Sequence, residues 1–190
     1  MKIIDTEIPD VKIAVPDVFG DRRGCFFESW NERKYRERGI CCRWVQDNES
    51  SSRFGVLRGL HYQAAPYTQA KLVRVISGRV LDVAVDIRRG SPTFGKHVAV
   101  ELSGENKYQL FIPRGFAHGF AVLSETAVFA YKCDNLYMPS SEKGIAFNDP
   151  ALGIDWRLKP SECILSDKDL KHPPLDGAEL FDFNSEDYLS

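Results

Sequence analysis

The sequence lacks any long apolar run. Nothing in its 190 residues approaches the ~18 consecutive apolar residues of a membrane span. The opening segment Met1-Lys2-Ile3-Ile4-Asp5-Thr6-Glu7 is charged and has no apolar signal core, so a cytoplasmic protein is expected. An excess of one charge is also missing. The 25 Lys and Arg against 27 Asp and Glu leave a net charge of −2, which argues for neither a nucleic-acid nor a membrane partner. An anionic small ligand would need a local cluster of cations. Cysteine is sparse and irregular: Cys25, Cys41, Cys42, Cys133 and Cys163 form no Cys-x-x-Cys, and the adjacent pair is not a zinc spacing. Reduced thiols in core or strand positions are expected. Internal repeats and low-complexity linkers are absent.

What is present points to a β protein. Hydrophobic residues make up 43% and aromatics 12% of the chain, which excludes disorder. The length suits one domain over residues 1–190. A central barrel is expected at about residues 41–135, with N-terminal strands and a C-terminal tail around it. In residues 80–87, Leu81, Val83, Val85 and Ile87 share one face, and Asp82 and Asp86 the other. That is the two-residue period of a strand. Val98, Val100 and Leu102 repeat it. Residues 71–76 and 80–87 flank Ser77-Gly78-Arg79, which has the composition of a hairpin turn. Residues 116–123 and 127–133 read as two more strands. One short surface helix is predicted after Trp30, capped by Asn31, favoured by Glu32 and stopped by Gly39, with Trp30 and Tyr35 as a hydrophobic staple. The tail, residues 159–190, is expected to wrap the barrel as loops and short helical turns.

Metal-binding β barrels commonly use a His-x-His pair, a carboxylate and a distant third histidine. Here Gln63 stands two residues after His61, and His97, His118 and His172 are far apart in sequence. A set with one such histidine is a poor zinc or iron site, so the barrel is read as metal-free and without a cofactor.

His61 ends the strand-like segment 56–62, Lys71 begins the next strand, and Tyr131 shares a later strand face with Phe129 and Cys133. Gln46, Asp47 and Asn48 form a polar knot, and Arg23 and Glu28 bracket Gly24-Cys25-Phe26-Phe27. Taken singly, a strand histidine is more often a satisfied structural group, a strand lysine a solvated one, and a barrel tyrosine a core residue. Strict alternation would also put Arg58 and His61 on opposite faces. Only a bulge at Gly59, or a site reached from both faces, lets both serve one ligand.

The ordered blocks do more. They run from Phe19-Gly20-Asp21-Arg22-Arg23-Gly24 and Phe26-Phe27-Glu28 through Gln46-Asp47-Asn48 and Val56-Leu57-Arg58-Gly59-Leu60-His61-Tyr62-Gln63. Lys71-Leu72-Val73-Arg74, Asp82-Val83-Ala84-Val85-Asp86-Ile87-Arg88 and Ser91-Pro92-Thr93-Phe94-Gly95 follow. Ile112-Pro113, Gly115-Phe116-Ala117-His118-Gly119-Phe120, Tyr131-Lys132 and Asn148-Asp149-Pro150 complete them. This series resembles the dTDP-4-dehydrorhamnose 3,5-epimerases of the cupin superfamily over nearly the whole chain. Departures are Cys25, where many relatives carry an aromatic, and Leu136 beside Tyr137, where some carry a second Tyr.

The resemblance implies an all-β, cupin-like jelly-roll barrel with a few short peripheral helices. His61 would be the general base, Tyr131 the general acid, Asp169 the partner orienting His61, and Lys71 the neighbour of a 4-keto oxygen. Arg23, Arg58 and Lys168 would meet a diphosphate, with Gln46, Asp47 and Asn48 in the same binding set. Tyr137 would stack on thymine, and Glu28, His118 and Glu142 would be further ligand contacts. The implied substrate is a dTDP-4-keto-6-deoxyhexose, and the implied assembly is a homodimer with exchanged N-terminal strands.

The chemistry suits those groups. Protons at C3 and C5 are both alpha to the ketone, and imidazole, at ~6.5, is a base matched to neutral pH. A cation such as Lys71 stabilises the enolate oxygen. A phenol at ~10 is protonated and able to return a proton from the other side. Arginine forks pair phosphate oxygens. The alternatives are an enzyme inverting only C3 or only C5, a non-catalytic sugar-nucleotide-binding cupin, and a metal cupin. An acid and base together argue against a mere binder, and Gln63 argues against the metal cupin.

Overall fold

The computed structural model describes residues 1–185 and 188. Two antiparallel sheets carry the fold. The first runs in the order β1 (Lys2–Asp5), β2 (Lys12–Val15), β11 (Gln109–Ile112), β7 (Lys71–Ser77), β13 (Thr126–Cys133), β5 (Gln46–Arg53). The second runs β10 (His97–Ser103), β8 (Arg79–Asp86), β12 (Phe116–Val122), β6 (Leu57–Gln63), β14 (Glu142–Gly144). A separate hairpin joins β3 (Val18–Asp21) to β4 (Gly24–Phe27), and β9 (Arg88–Arg89) pairs in parallel with β15 (Phe181–Asp182). The expected all-β, cupin-like architecture is present. No helix among the described residues is long and apolar enough to cross a membrane.

One expectation fails. β7 and β8 lie in different sheets, so Ser77-Gly78-Arg79 turns a corner between them and closes no hairpin. The physical reason is that β8 is covered on both faces. Val80 and Ala84 enter the core between the sheets with Val73, Val75, Phe120 and Phe129. Leu81, Val83 and Val85 point the other way, against Trp156 and against Leu175 and Ala178 of the tail. Period-two patterning reveals which residues share a face, and it is silent about which strand lies alongside.

The helix α1 (Glu32–Arg36) forms as predicted. Asn31 Oδ1 accepts from Lys34 N at 3.1 Å, Trp30 and Tyr35 rings lie 4.5 Å apart, and Gly39 follows with φ of 84°. The tail makes short helical turns at Pro160–Glu162, Asp169–Lys171 and Leu175–Gly177, as expected; the expectation for residues 186, 187, 189 and 190 lies outside the described residues. The cysteines are free, but only Cys133 is buried, and Cys25 and Cys41 are exposed.

Candidate active site

The site begins with an irregularity in β6. His61 stands opposite His118 on β12, and Arg58 stands opposite Phe120. Two steps along β12 therefore match three along β6, so Gly59-Leu60 holds one extra residue, a β-bulge. Gly59 has φ of +133°, and a Cβ there would come within 2.5 Å of the Gly119 backbone. Only glycine fits. His118 and Phe120 are two apart and share the inner face, so their partners His61 and Arg58 share it as well. Leu57, Leu60 and Tyr62 belong to the outer cluster under the tail. The bulge thus brings His61 and Arg58 to the same side.

The tail then supplies a carboxylate. His61 Nε2 lies 2.5 Å from Asp169 Oδ1. A carboxylate only accepts, so Nε2 carries a proton, and in the neutral imidazole Nδ1 keeps its lone pair free. Asp169 is 4% exposed, and its other oxygen accepts from Ser166 Oγ at 2.7 Å. Burial alone would raise its pKa, but the hydrogen bonds from His61 and Ser166 bring it down to about 2. Asp169 is therefore ionised wherever imidazole titrates.

Facing residues complete the inner set. His118, in the second sheet, is buried and places Nε2 3.0 and 3.1 Å from the two oxygens of buried Asp82. Burial lowers its pKa despite Asp82, and the nearby charges of Lys71 and His61 act in the same direction. Its ring stacks on Phe129 of β13, at 6.1 Å and 21°. Tyr131, two residues further on, is in the first sheet, with the Lys71 ammonium 5.9 Å from its ring centroid. Desolvation lowers the Lys71 pKa, against the pull of Cys133, Asp82 and Glu142. Desolvation raises that of Tyr131 to about 12. The histidines thus project from one sheet towards a lysine and a tyrosine on the other.

A second cluster adjoins β14. Tyr137 donates its hydroxyl to Glu142 Oε2 at 2.5 Å, and Glu142 also pairs with Lys168. Burial would raise the Glu142 pKa, but these two contacts lower it. Gln46 accepts from Tyr137 N at 2.9 Å and donates to Asn48 at 2.9 Å. Gln63 is buried; its amide donates to the Tyr67 and Leu136 carbonyls, and its oxygen accepts from Met138 N. It clamps the loop carrying Tyr137. Arg58 makes only long contacts with Ser52 among the described residues, at 3.3 and 3.4 Å, leaving donors for an anion.

Three expected residues stand apart. Asp47 pairs with Lys132 at 2.9 Å, and these two lie opposite each other on β5 and β13, on the face away from Asn48 and Tyr131. Alternation along β5 sends it there. Arg23 is paired with Asp21 on the exposed β3–β4 hairpin, and Glu28 with Lys34 at 2.6 Å. Within one chain neither touches the His61 cluster.

Sequence reasoning missed Ser166 and His172. Ser166 and Asp169 bond each other reciprocally, and their Ser-x-x-Asp spacing is the sequence signal. His172 carries no such signal. Its ring sits 5.5 Å from that of His61, edge to face, and its buried Nε2 has no hydrogen-bond partner. It reaches this place because Gly144, opposite His61 on β14, has no side chain; a Cβ there would meet the His172 ring at 2.4 Å.

The sequence profile described as dTDP-4-dehydrorhamnose 3,5-epimerase matches residues 5–177. The protein of that name from Shigella flexneri is 54% identical over 182 residues, covering 95% of this chain and 99% of the relative. A counterpart from Salmonella typhimurium is 55% identical over 181 residues, covering 95% and 98%. Among solved structures, the dTDP-6-deoxy-D-glucose-3,5-epimerase of Legionella pneumophila, in complex with dTDP-4-keto-L-rhamnose, superposes with a TM-score of 0.93 at 53% identity. The match covers 97% of this chain and 99% of that one.

The His61–Asp169 geometry makes a prediction independent of any reaction. Two-bond 1H–15N NMR correlations at pH ~8, above the usual imidazole titration, are expected to show His61 protonated on Nε2 and bare on Nδ1. Asp169→Asn is expected to remove that preference. A neutral His61 protonated on Nδ1 in the unmodified protein would contradict the geometry.

Proposed function

This chain belongs to the dTDP-4-dehydrorhamnose 3,5-epimerase family and is an isomerase, and we propose that it converts dTDP-4-dehydro-6-deoxy-D-glucose to dTDP-4-dehydro-L-rhamnose through a histidine base and a tyrosine acid. The observation that carries this reading is the placement of His61 and Tyr131 on facing sheets. A sugar lying between them has one group on each side of its ring. The bare Nδ1 of His61 takes the proton from carbon, and the C–H electrons form the C=C bond of an enolate as charge moves to the C4 oxygen. The Lys71 ammonium stabilises that charge, and the interaction is strong where water is scarce. Tyr131 then delivers its phenolic proton to the opposite face. Solvent reprotonates the phenolate and takes the proton from His61, so one carbon is inverted with no net change in protons. The cycle is repeated at the other alpha carbon.

The anionic half of the substrate fits the second cluster. Arg58 and Lys168 face the diphosphate, Gln46 and Asn48 add hydrogen bonds, and Tyr137, 49% exposed, offers its ring to the base. The β3–β4 hairpin supports a homodimer with exchanged N-terminal segments. It pairs with no other strand among the described residues, and it exposes Phe19 and Phe26 at 66% and 72%. Seated on a second subunit, it buries those rings and carries Arg23, with Glu28 just beyond β4, toward the partner's substrate.

Two outcomes test the reading. In D2O the product is expected to carry deuterium at both C3 and C5 by NMR, and His61→Ala to slow exchange by at least about 100-fold. Deuterium at a single carbon would mean a mono-epimerase. Tight binding with no exchange would mean a binding protein. The pH profile identifies the cation. Lys71 has a lowered pKa and Tyr131 one near 12, so on raising the pH Lys71 loses its proton first and kcat falls below the usual lysine range. Lys71→Arg is expected to move that alkaline limb upward even as the rate drops. A limb unmoved by this change would remove Lys71 from the enolate site.

A further inference from the structure

His172 is a buried imidazole with an unsatisfied nitrogen beside a carboxylate and a second imidazole, and the reaction above makes no use of it. Its Nε2 is 3.8 Å from Asp169 Oδ1, which is itself 2.5 Å from His61 Nε2. The three ligand atoms lie within 4.8 Å of one another. His172 and Asp169 side chains are only 10% and 4% exposed, while His61 at 29% leaves a way in. Two imidazoles, one carboxylate and a water make a common zinc set, with bonds of about 2.0–2.2 Å and ligand atoms about 3.3 Å apart in a tetrahedron. The present separations bracket that value, so small ring rotations suffice. Gly144 makes the pocket possible by admitting the His172 ring edge next to its cross-strand partner His61. The charge of Lys168, felt at His172, is offset by its ion pair with Glu142.

We propose that His61, Asp169 and His172 form an inhibitory site for a zinc-like divalent cation, placed behind the base on the side away from the substrate. This differs from a resident metal of the His-x-His kind, whose second position is Gln63, spent on clamping a loop. The inhibition follows from the tautomer and rests on the epimerase reading. With Asp169 as partner, neutral His61 carries its proton on Nε2 and is basic at Nδ1. A cation bound at Nε2 takes that lone pair, and the proton moves to Nδ1 with none lost from the ring. The nitrogen facing the substrate then has no lone pair, and proton abstraction stops.

The test uses Zn2+ alone and the full chain, stripped of metal. Calorimetric titration is expected to show one ion per chain. The Co2+ form is expected to show the visible bands of four-coordinate cobalt. Zinc is expected to slow deuterium exchange, and chelator to restore it. His172→Asn removes a ligand, and Gly144→Ala pushes the His172 ring aside while leaving His61 and Asp169 in place. Each is expected to weaken zinc binding at least about 10-fold, and to raise the zinc concentration for half-inhibition to match, relative to its own zinc-free rate. Circular dichroism checks that both fold. No uptake by the stripped protein, or uptake unchanged in both variants, overturns the site. Because calorimetry reads the ion and not the reaction, a protein without exchange activity that still bound zinc through His172 would count against the epimerase reading and leave this site standing.

Discussion

In an unbroken strand, side chains three apart point to opposite faces, and Arg58 and His61 would be separated by the thickness of β6. The extra residue at Gly59-Leu60 cancels that rule, and much else depends on it. It turns His61 inward beside His118, keeps Leu57, Leu60 and Tyr62 outward under the tail, and leaves Arg58 on the same side as His61. Without the bulge, either His61 would face the tail, or turning it inward would turn Leu57 inward with it, out of the outer core. Glycine at 59 and 119 allows it, because the two backbones approach too closely for any Cβ.

The same placement gives two histidines, each paired with a carboxylate, different environments. His118 and Asp82 are both buried inside the barrel, and desolvation favours the neutral form of that imidazole. His61 is partly open, and its carboxylate comes from the tail, over a hundred residues away. Asp169 is in turn fixed by Ser166, so the orientation of His61 depends on a short helical turn laid over the second sheet. Across the interior, Lys71 and Tyr131 have pKa values displaced in opposite directions by one cause, loss of water. Both shifts favour the neutral form. For tyrosine that secures a proton donor at neutral pH. For lysine it makes the charged form depend on neighbouring acidic groups, Asp82 and Glu142 among them.

Much of this was legible in the residues. The capped helix after Trp30, the strand faces of residues 80–87 and the blocks around His61 and His118 all carry local signals, and local signals survive folding. Sheet neighbours are not legible, because a strand buried on both faces gives no clue to the strand beside it; the corner at Gly78 looks like a hairpin turn for that reason. Asp47 was grouped with Gln46 and Asn48 by adjacency, yet alternation sends it to Lys132 on the far face. His172 carries no local signal, because it is far from His61 in sequence. Only the path of the tail, and a missing Cβ at Gly144, bring it to His61.

The central claim is that base and acid stand on opposite sides of one sugar ring. It is tested most directly by Tyr131→Phe, followed by NMR in D2O with exchange and inversion scored separately. His61 and Asp169 are untouched in this variant, so the account predicts that protons alpha to the ketone still exchange with solvent while the carbon returns to its starting configuration. Inversion at the unmodified rate, or loss of exchange as complete as that in His61→Ala, would contradict it.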